Sequence, residues 1–329
     1  MAASPSSSAD TPQNWAFDTS VAHHSDQDHD AQQVIPVIQR VLSNTQFPHS
    51  AARQVSAIYA ARVQGDGDSG NSRNRKTFSR PPQSLPVALW EIICSAVEHF
   101  AGADEGARHR LVTFLHRLSE LSVLDDNGLE IAAASGHVYW RDLPGFELAF
   151  RENLCDPCRL LGVIRAGDGP ELERARRRFY AANVFTASWM VHIGRERPRR
   201  EWGSELCLAF SHLRGALEYE VAATSLGHRR AGVWIPQAAQ WILIAGPLIY
   251  QFCRDRELHD GEPAIFREED VDGVVDGLLF EGETGYSLQR WEFWMTRFHA
   301  VAELNISSDI SSLATSAGQR MRDIEEEKG

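Results

Sequence analysis

SLQRWEFWMTRFHAVAEL, residues 287–304, decides the fold class. Ser287 suits the N-cap position, because its hydroxyl can accept from a first-turn N–H that the helix itself leaves unpaired. Behind it Leu288, Trp291, Trp294, Met295, Phe298, Val301 and Ala302 recur at spacings of three and four. That period places them on one face of an α-helix.

The same grammar runs outward along the chain. Leu111, Phe114, Leu115, Leu118 and Leu121 form a second apolar stripe, and Leu89, Ile92, Ile93, Ala96 and Val97 a third, after Ser84. Asp30 and Ser50 stand at the starts of two earlier helices. Pro170 opens a long one carrying Leu172, Ala175, Phe179, Ala182, Trp189 and Ile193, and Ser204 opens another with Leu206, Phe210, Leu213, Leu217 and Val221. A helix over about Pro236–Arg254 and a last one over about Ser308–Glu327 complete the series. No period-2 run is sustained, and Ile131–Trp140 is the one strand candidate. The spacing predicts an all-α protein, an irregular multi-helix bundle of about nine or ten helices with little or no sheet.

Composition narrows the class. The 329 residues are 43% hydrophobic, enough for a sizeable core. The net charge of −12 opposes a generic nucleic-acid partner, since a polyanion is repelled at long range. Five scattered cysteines, Cys94, Cys155, Cys158, Cys207 and Cys253, fit reduced thiols of a soluble intracellular protein. No apolar leader opens the chain, so a cytoplasmic location is expected, a nuclear one being the alternative. Val233–Phe252 is the most apolar stretch, but Pro236, Gln237, Gln240 and Pro247 interrupt it. It predicts a buried central helix and no membrane span.

Residues 1–29 are rich in Ser, Asp, His and Gln, the composition of a disordered acidic segment. Residues 30–307 are expected to form a single helical domain, with a flexible linker at 64–83 marked by Gly65, Gly67, Gly70 and Pro81-Pro82. Residues 308–329 form a terminal helix with a charged tail. The linker's basic cluster (Arg73, Arg75, Lys76, Arg80) reads as a solvated loop or a short nuclear address. Charge is uneven in the body. Nine arginines face five acids over Arg165–Trp202, while eleven acids face Arg256 and Arg267 over Asp255–Glu283. Such faces neutralise each other or are solvated; the functional alternative is an acidic docking face and an anion-binding face.

Candidate chemistry is sparse. Cys155 and Cys158 make a C-x-x-C without the second pair that a zinc site needs, and without a βαβ setting for redox work. His23, His24, Asp26, Asp28, His29 and Asp30 lie in the segment predicted to be disordered, which disfavours a dedicated metal site. Asp125-Asp126 precede Asn127-Gly128, so a turn explains them better than a magnesium motif. No cofactor or metal is expected. Arg214 and Glu218, one turn apart beside the Leu213–Leu217–Val221 stripe, are either a structural ion pair or an acid poised in a pocket. Trp291 and Trp294 make an aromatic stripe of the core type, with Arg290 beside it.

Five runs follow one another along the chain: Trp140-Arg141-Asp142-Leu143-Pro144-Gly145-Phe146, Asn183 with Ala187, Leu213-Arg214-Gly215-Ala216-Leu217-Glu218, Ala239-Gln240-Trp241-Ile242 with Gly246 and Tyr250, and Ser287 with Arg290-Trp291-Glu292-Phe293-Trp294. Together they resemble one fungal family, catalogued as domain of unknown function 3632. The resemblance spans about Asp30–Leu304. It implies a helical fold and a fungal source, and it transfers no catalytic residue. It marks Trp140, Asp142, Asn183, Arg214, Glu218, Arg290 and Trp291 as matching positions.

Two functional expectations follow. One is a non-catalytic helical scaffold or binding protein. The other is an enzyme or small-molecule-binding accessory protein of a fungal secondary-metabolite pathway, built on Asn183, Arg214, Glu218, Arg290 and Trp291. The partner, protein or small molecule, is not specified by any motif. Geometry separates the two: side chains that pair off with no cavity beside them do not form a ligand pocket.

Overall fold

A computed structural model describes residues 11–15, 29–65, 86–124, 130, 140–194, 203–257, 276–304 and 306–328. Residues 23–28 of the N-terminal His/Asp cluster, the basic cluster at 73–80, Asp125-Asp126, the strand candidate before Trp140 and most of the acidic stretch lie outside the described residues. So do the side chains of Cys158 and Cys207. Eleven α-helices and one two-stranded ribbon make up the described structure, an all-α irregular bundle. The chain divides into two compact units, residues 1–155 and 156–329. The division falls at the short turn before Pro157, which has none of the Gly/Ser composition that marks 64–83.

The first unit packs α1 (His29–Leu42), α2 (Pro48–Gly65), α3 (Val87–Ala96), α4 (Glu105–Ser119) and α5 (Phe146–Leu154), with a π-helical turn at Val97–Ala101. Asp104 caps α4, accepting from the Ala107 N–H at 2.9 Å. Arg110 reaches back to the C-terminus of α1 and donates to the carbonyls of Val41 (2.9 Å) and Leu42 (2.6 Å). Trp140 anchors the turn into α5. It is fully buried, stacks edge-on against Trp90 and Tyr59, and donates its indole N–H to Ser56 at 3.0 Å. Its φ of 68° is unusual for a bulky residue, and the burial of the ring holds it there.

The expected disorder of residues 1–29 is corrected at residues 11–15, which form a helical turn. Trp15 is 1% exposed, packs edge-on against Phe100 at 5.9 Å and donates to Ser95 at 3.1 Å. One large aromatic buries enough surface to order a short polar segment.

The second unit is built around α9 (Ser225–Asp255). It packs against α7 (Pro170–Gly194), α8 (Gly203–Leu217) and α11 (Ser308–Lys328), while α10 (Leu288–Glu303) lies against α11 and α8, and α6 (Pro157–Ala166) against α7. Helix α9 begins eleven residues before the expected start at Pro236: Thr224 is its N-cap, accepting from Gly227 N–H at 3.1 Å. Pro236 and Pro247 lie inside it. By length and composition α9 could cross a membrane, but 61% of its apolar window is buried, as for a core helix. Gly246 lets α11 approach closely, since a Cβ there would meet Ile324 Cδ1 at 2.7 Å. After α8, β1 (Tyr219–Glu220) pairs antiparallel with β2 (Asp276–Leu278).

Candidate functional site

Glu218 is the first residue past α8 and is 0% exposed. Its carboxylate accepts from Arg290 Nε at 2.7 Å, from Arg290 Nη2 at 3.4 Å and from Trp294 Nε1 at 2.8 Å. Arg214 Nε stands 3.7 Å from the second oxygen. Arg290 and Trp294 are one turn apart on α10, so one helix face supplies most of the carboxylate's donors.

Arg290 is itself used up. Its Nη1 donates to the carbonyls of Glu283 at 3.0 Å and of Gly285. Its guanidinium lies over the rings of Phe210 (4.8 Å) and Phe280 (4.3 Å). Two turns further along α10, Arg297 donates to the carbonyls of Leu217 (3.1 Å) and Tyr219 (3.4 Å). The Glu218 carbonyl accepts from Leu279 N–H at 2.8 Å. This is a lock that fixes the end of α8, the ribbon and α10 together. A buried charge so fully compensated has little chemistry left to offer.

Asn183 belongs to a second buried cluster, formed by α7, α8 and α9. It accepts from Trp241 Nε1 at 2.8 Å and donates to the Phe179 carbonyl at 2.8 Å. His212 is walled in by the rings of Phe179, Trp234 and Trp241, and burial pushes its imidazole down to about 3. His212 Nδ1, Ser211 Oγ and Gln237 Oε1 are buried without hydrogen-bond partners. Trp291 is fully buried against Tyr250, with its indole N–H likewise unpartnered. Asp142 stays near the surface of the first unit beside Arg141, at 3.4 Å.

Burial pushes the thiols of Cys155 and Cys253 up to about 12, and that of Cys94 higher still. Such thiols are poor nucleophiles and poor metal ligands at neutral pH. Among the described residues no group of three His, Cys, Asp or Glu could hold a metal ion.

A cavity of about 500 Å³ opens in the second unit, along the first three turns of α9. Ser225, His228, Arg229, Gly232 and Pro236 line it from α9, at the spacing of one helix face. Arg176 enters from α7 and Asp168 from the turn before it. Ser307, Asp309, Ile310 and Leu313 close it from the start of α11. None of Asn183, Arg214, Glu218, Arg290 and Trp291 lines it. Sequence reading missed its residues because they come from three separated segments. The one signal was the arginine-rich run that contains Arg176.

Fold and sites together define an all-α helical-bundle protein with a buried ion-pair lock and an open polar cavity. The chain belongs to the family described as Protein of unknown function (DUF3632), whose sequence model matches residues 90–298. Trp140, Asp142, Asn183, Arg214, Glu218, Arg290 and Trp291 all fall within that match. No curated protein and no solved structure matches the chain.

Proposed function

We propose that this chain is a non-catalytic helical binding protein that holds a small polar ligand in the cavity at the start of α9. The cavity carries the reading. Its volume of about 500 Å³ lies within the range of small-molecule sites, roughly 300–1,000 Å³. Charged heads from Asp168, Arg176, Arg229 and Asp309 stand in it beside an apolar wall of Pro236, Ile306, Ile310 and Leu313. The carboxylate of Glu218 is already neutralised by Arg290, and His212 is enclosed by rings. Both facts favour binding over acid–base catalysis. A cytoplasmic setting in a fungal cell, as an accessory to biosynthesis, belongs to the same proposal.

A thermal-shift screen of polar metabolites tests it. At least one compound should raise Tm in a concentration-dependent way, and Leu313→Trp, which fills the cavity, should abolish that shift. A screen with no saturable hit, or a hit indifferent to Leu313→Trp, would overturn the proposal.

A further inference from the structure

We infer that the cavity at the start of α9 recognises an anion, the phosphate or carboxylate head of a small metabolite. This rests on the reading of the cavity as a ligand site. The argument begins with which charges lie inside and which lie outside. Two guanidiniums line the cavity, Arg229 with a side chain 15% exposed and Arg176 at 28%. Their carboxylate neighbours are solvated: Asp168 is 77% exposed and Glu173, which does not line the cavity, is 63% exposed. Asp309 and His228 are exposed at the rim. The less hydrated positions are therefore cationic, and charge interactions strengthen where water is excluded.

The two arginines are held differently. Arg229 Nε donates to the Ile164 carbonyl at 3.0 Å, in the last turn of α6, and its Nη1 lies 3.6 Å from Asp168. That anchors the fork at the wall. Arg176 Nη1 is taken by Glu173 at 2.5 Å, while its buried Nε has no hydrogen-bond partner. Gly232 makes room for this cation, since a Cβ there would lie 2.9 Å from Arg176 Nη2. The Nη2 end of this planar guanidinium, beside Gly232, is the part of the fork that meets an oxyanion.

The backbone adds to the same sign. Helices α9 and α11 both begin at this cavity, at Ser225 and Ser308, so the positive ends of two helix dipoles meet there. Ile306, Ile310 and Leu313 offer an apolar side, which suits the body of a metabolite attached to the anionic head.

Calorimetric titration of the full chain with inorganic pyrophosphate and with malonate, at ionic strength fixed by sodium chloride, tests the inference. At least one anion should bind saturably; the tighter of the two assigns the head group. Arg176→Gln should weaken binding about tenfold, the loss of one charge-assisted contact. Asp168→Asn removes a competing carboxylate at an exposed position and should tighten it, a gain that misfolding cannot mimic. No saturable binding of either anion, or affinities unchanged in both variants, would overturn the assignment. If neither anion binds but an uncharged metabolite does, and Leu313→Trp abolishes it, the anion assignment falls and the ligand site stands. If no compound of any charge binds, both fall.

Discussion

Arg290 Nε lies 2.7 Å from Oε1 of Glu218, across 72 residues of chain and inside the core of the second unit. Removing one partner of such a pair strands the other without water. Glu218→Ala should therefore cost about 3–5 kcal/mol of stability, read by urea denaturation at pH 7. Replacing both, as in Glu218→Leu with Arg290→Met, should recover much of that loss, because the penalty is for the unpaired charge. A loss below about 1 kcal/mol for Glu218→Ala would mean that the lock does not hold the unit together.

Trp15 supports a second prediction. It is 1% exposed, although Gln13 and Asn14 just before it are polar. Trp15→Ala should destabilise the first unit by about 3 kcal/mol, the low end for loss of a buried aromatic. Trp15→Phe should cost less, since it keeps a ring against Phe100 while losing the bond to Ser95 and part of the buried indole. Proteolysis near residue 15 should follow the same order. An Ala variant as stable and as protease-resistant as the parent would show that this turn is only resting on the unit.

The residues that sequence reading found and missed differ in how local their signals are. Helix α10 was legible because Ser287 caps it and a 16-residue helix repeats its apolar face several times. Helices α5 and α6 escape sequence reading for want of a clear apolar face: α5 buries only Phe150 and Leu154, whereas α3, no longer than α6, buries Leu89, Trp90, Ile92, Ile93, Cys94 and Ala96. The start of α9 was misplaced because Pro236 is a good first-turn residue, while the actual cap, Thr224, is followed by polar residues. Arg214 and Glu218 were paired by their spacing, yet the closer partner of Glu218 is Arg290, at 2.7 Å against 3.7 Å. No local rule specifies a pairing over 72 residues. The cavity was invisible for the same reason, being assembled from the starts of α9 and α11, residue 176 of α7 and the turn before α7.

The His212 cluster carries a pH dependence with a definite sign. In the unfolded chain its imidazole titrates near 6.5, whereas burial in the fold pushes it down to about 3. Between those values the unfolded state binds the proton and the folded state does not. Stability is therefore full above about pH 7 and is lost as pH falls, by about 2 kcal/mol at pH 5. Denaturation of wild type and His212→Phe at pH 7 and pH 5 isolates the contribution. The variant, whose ring fits the same aromatic walls, should show a smaller loss between the two pH values. Equal losses would place the acid sensitivity in other groups.

Gly232 offers a case in which stability and binding should move in opposite directions. It lies in the interior of α9, where glycine costs about 0.5–1 kcal/mol relative to alanine. The one side chain that a new methyl would meet is the far end of Arg176, with Nη2 at 2.9 Å, and that flexible group can shift. Gly232→Ala should thus raise stability slightly in urea denaturation. The shifted guanidinium would leave its place in the cavity wall, so pyrophosphate or malonate affinity should fall, by about as much as in Arg176→Gln. A glycine kept small for helix packing, as Gly246 is against Ile324, would instead lose stability on this substitution, with no change in anion affinity. A residue kept small to seat Arg176 gives both effects at once, and the pair of measurements on one variant separates the two roles.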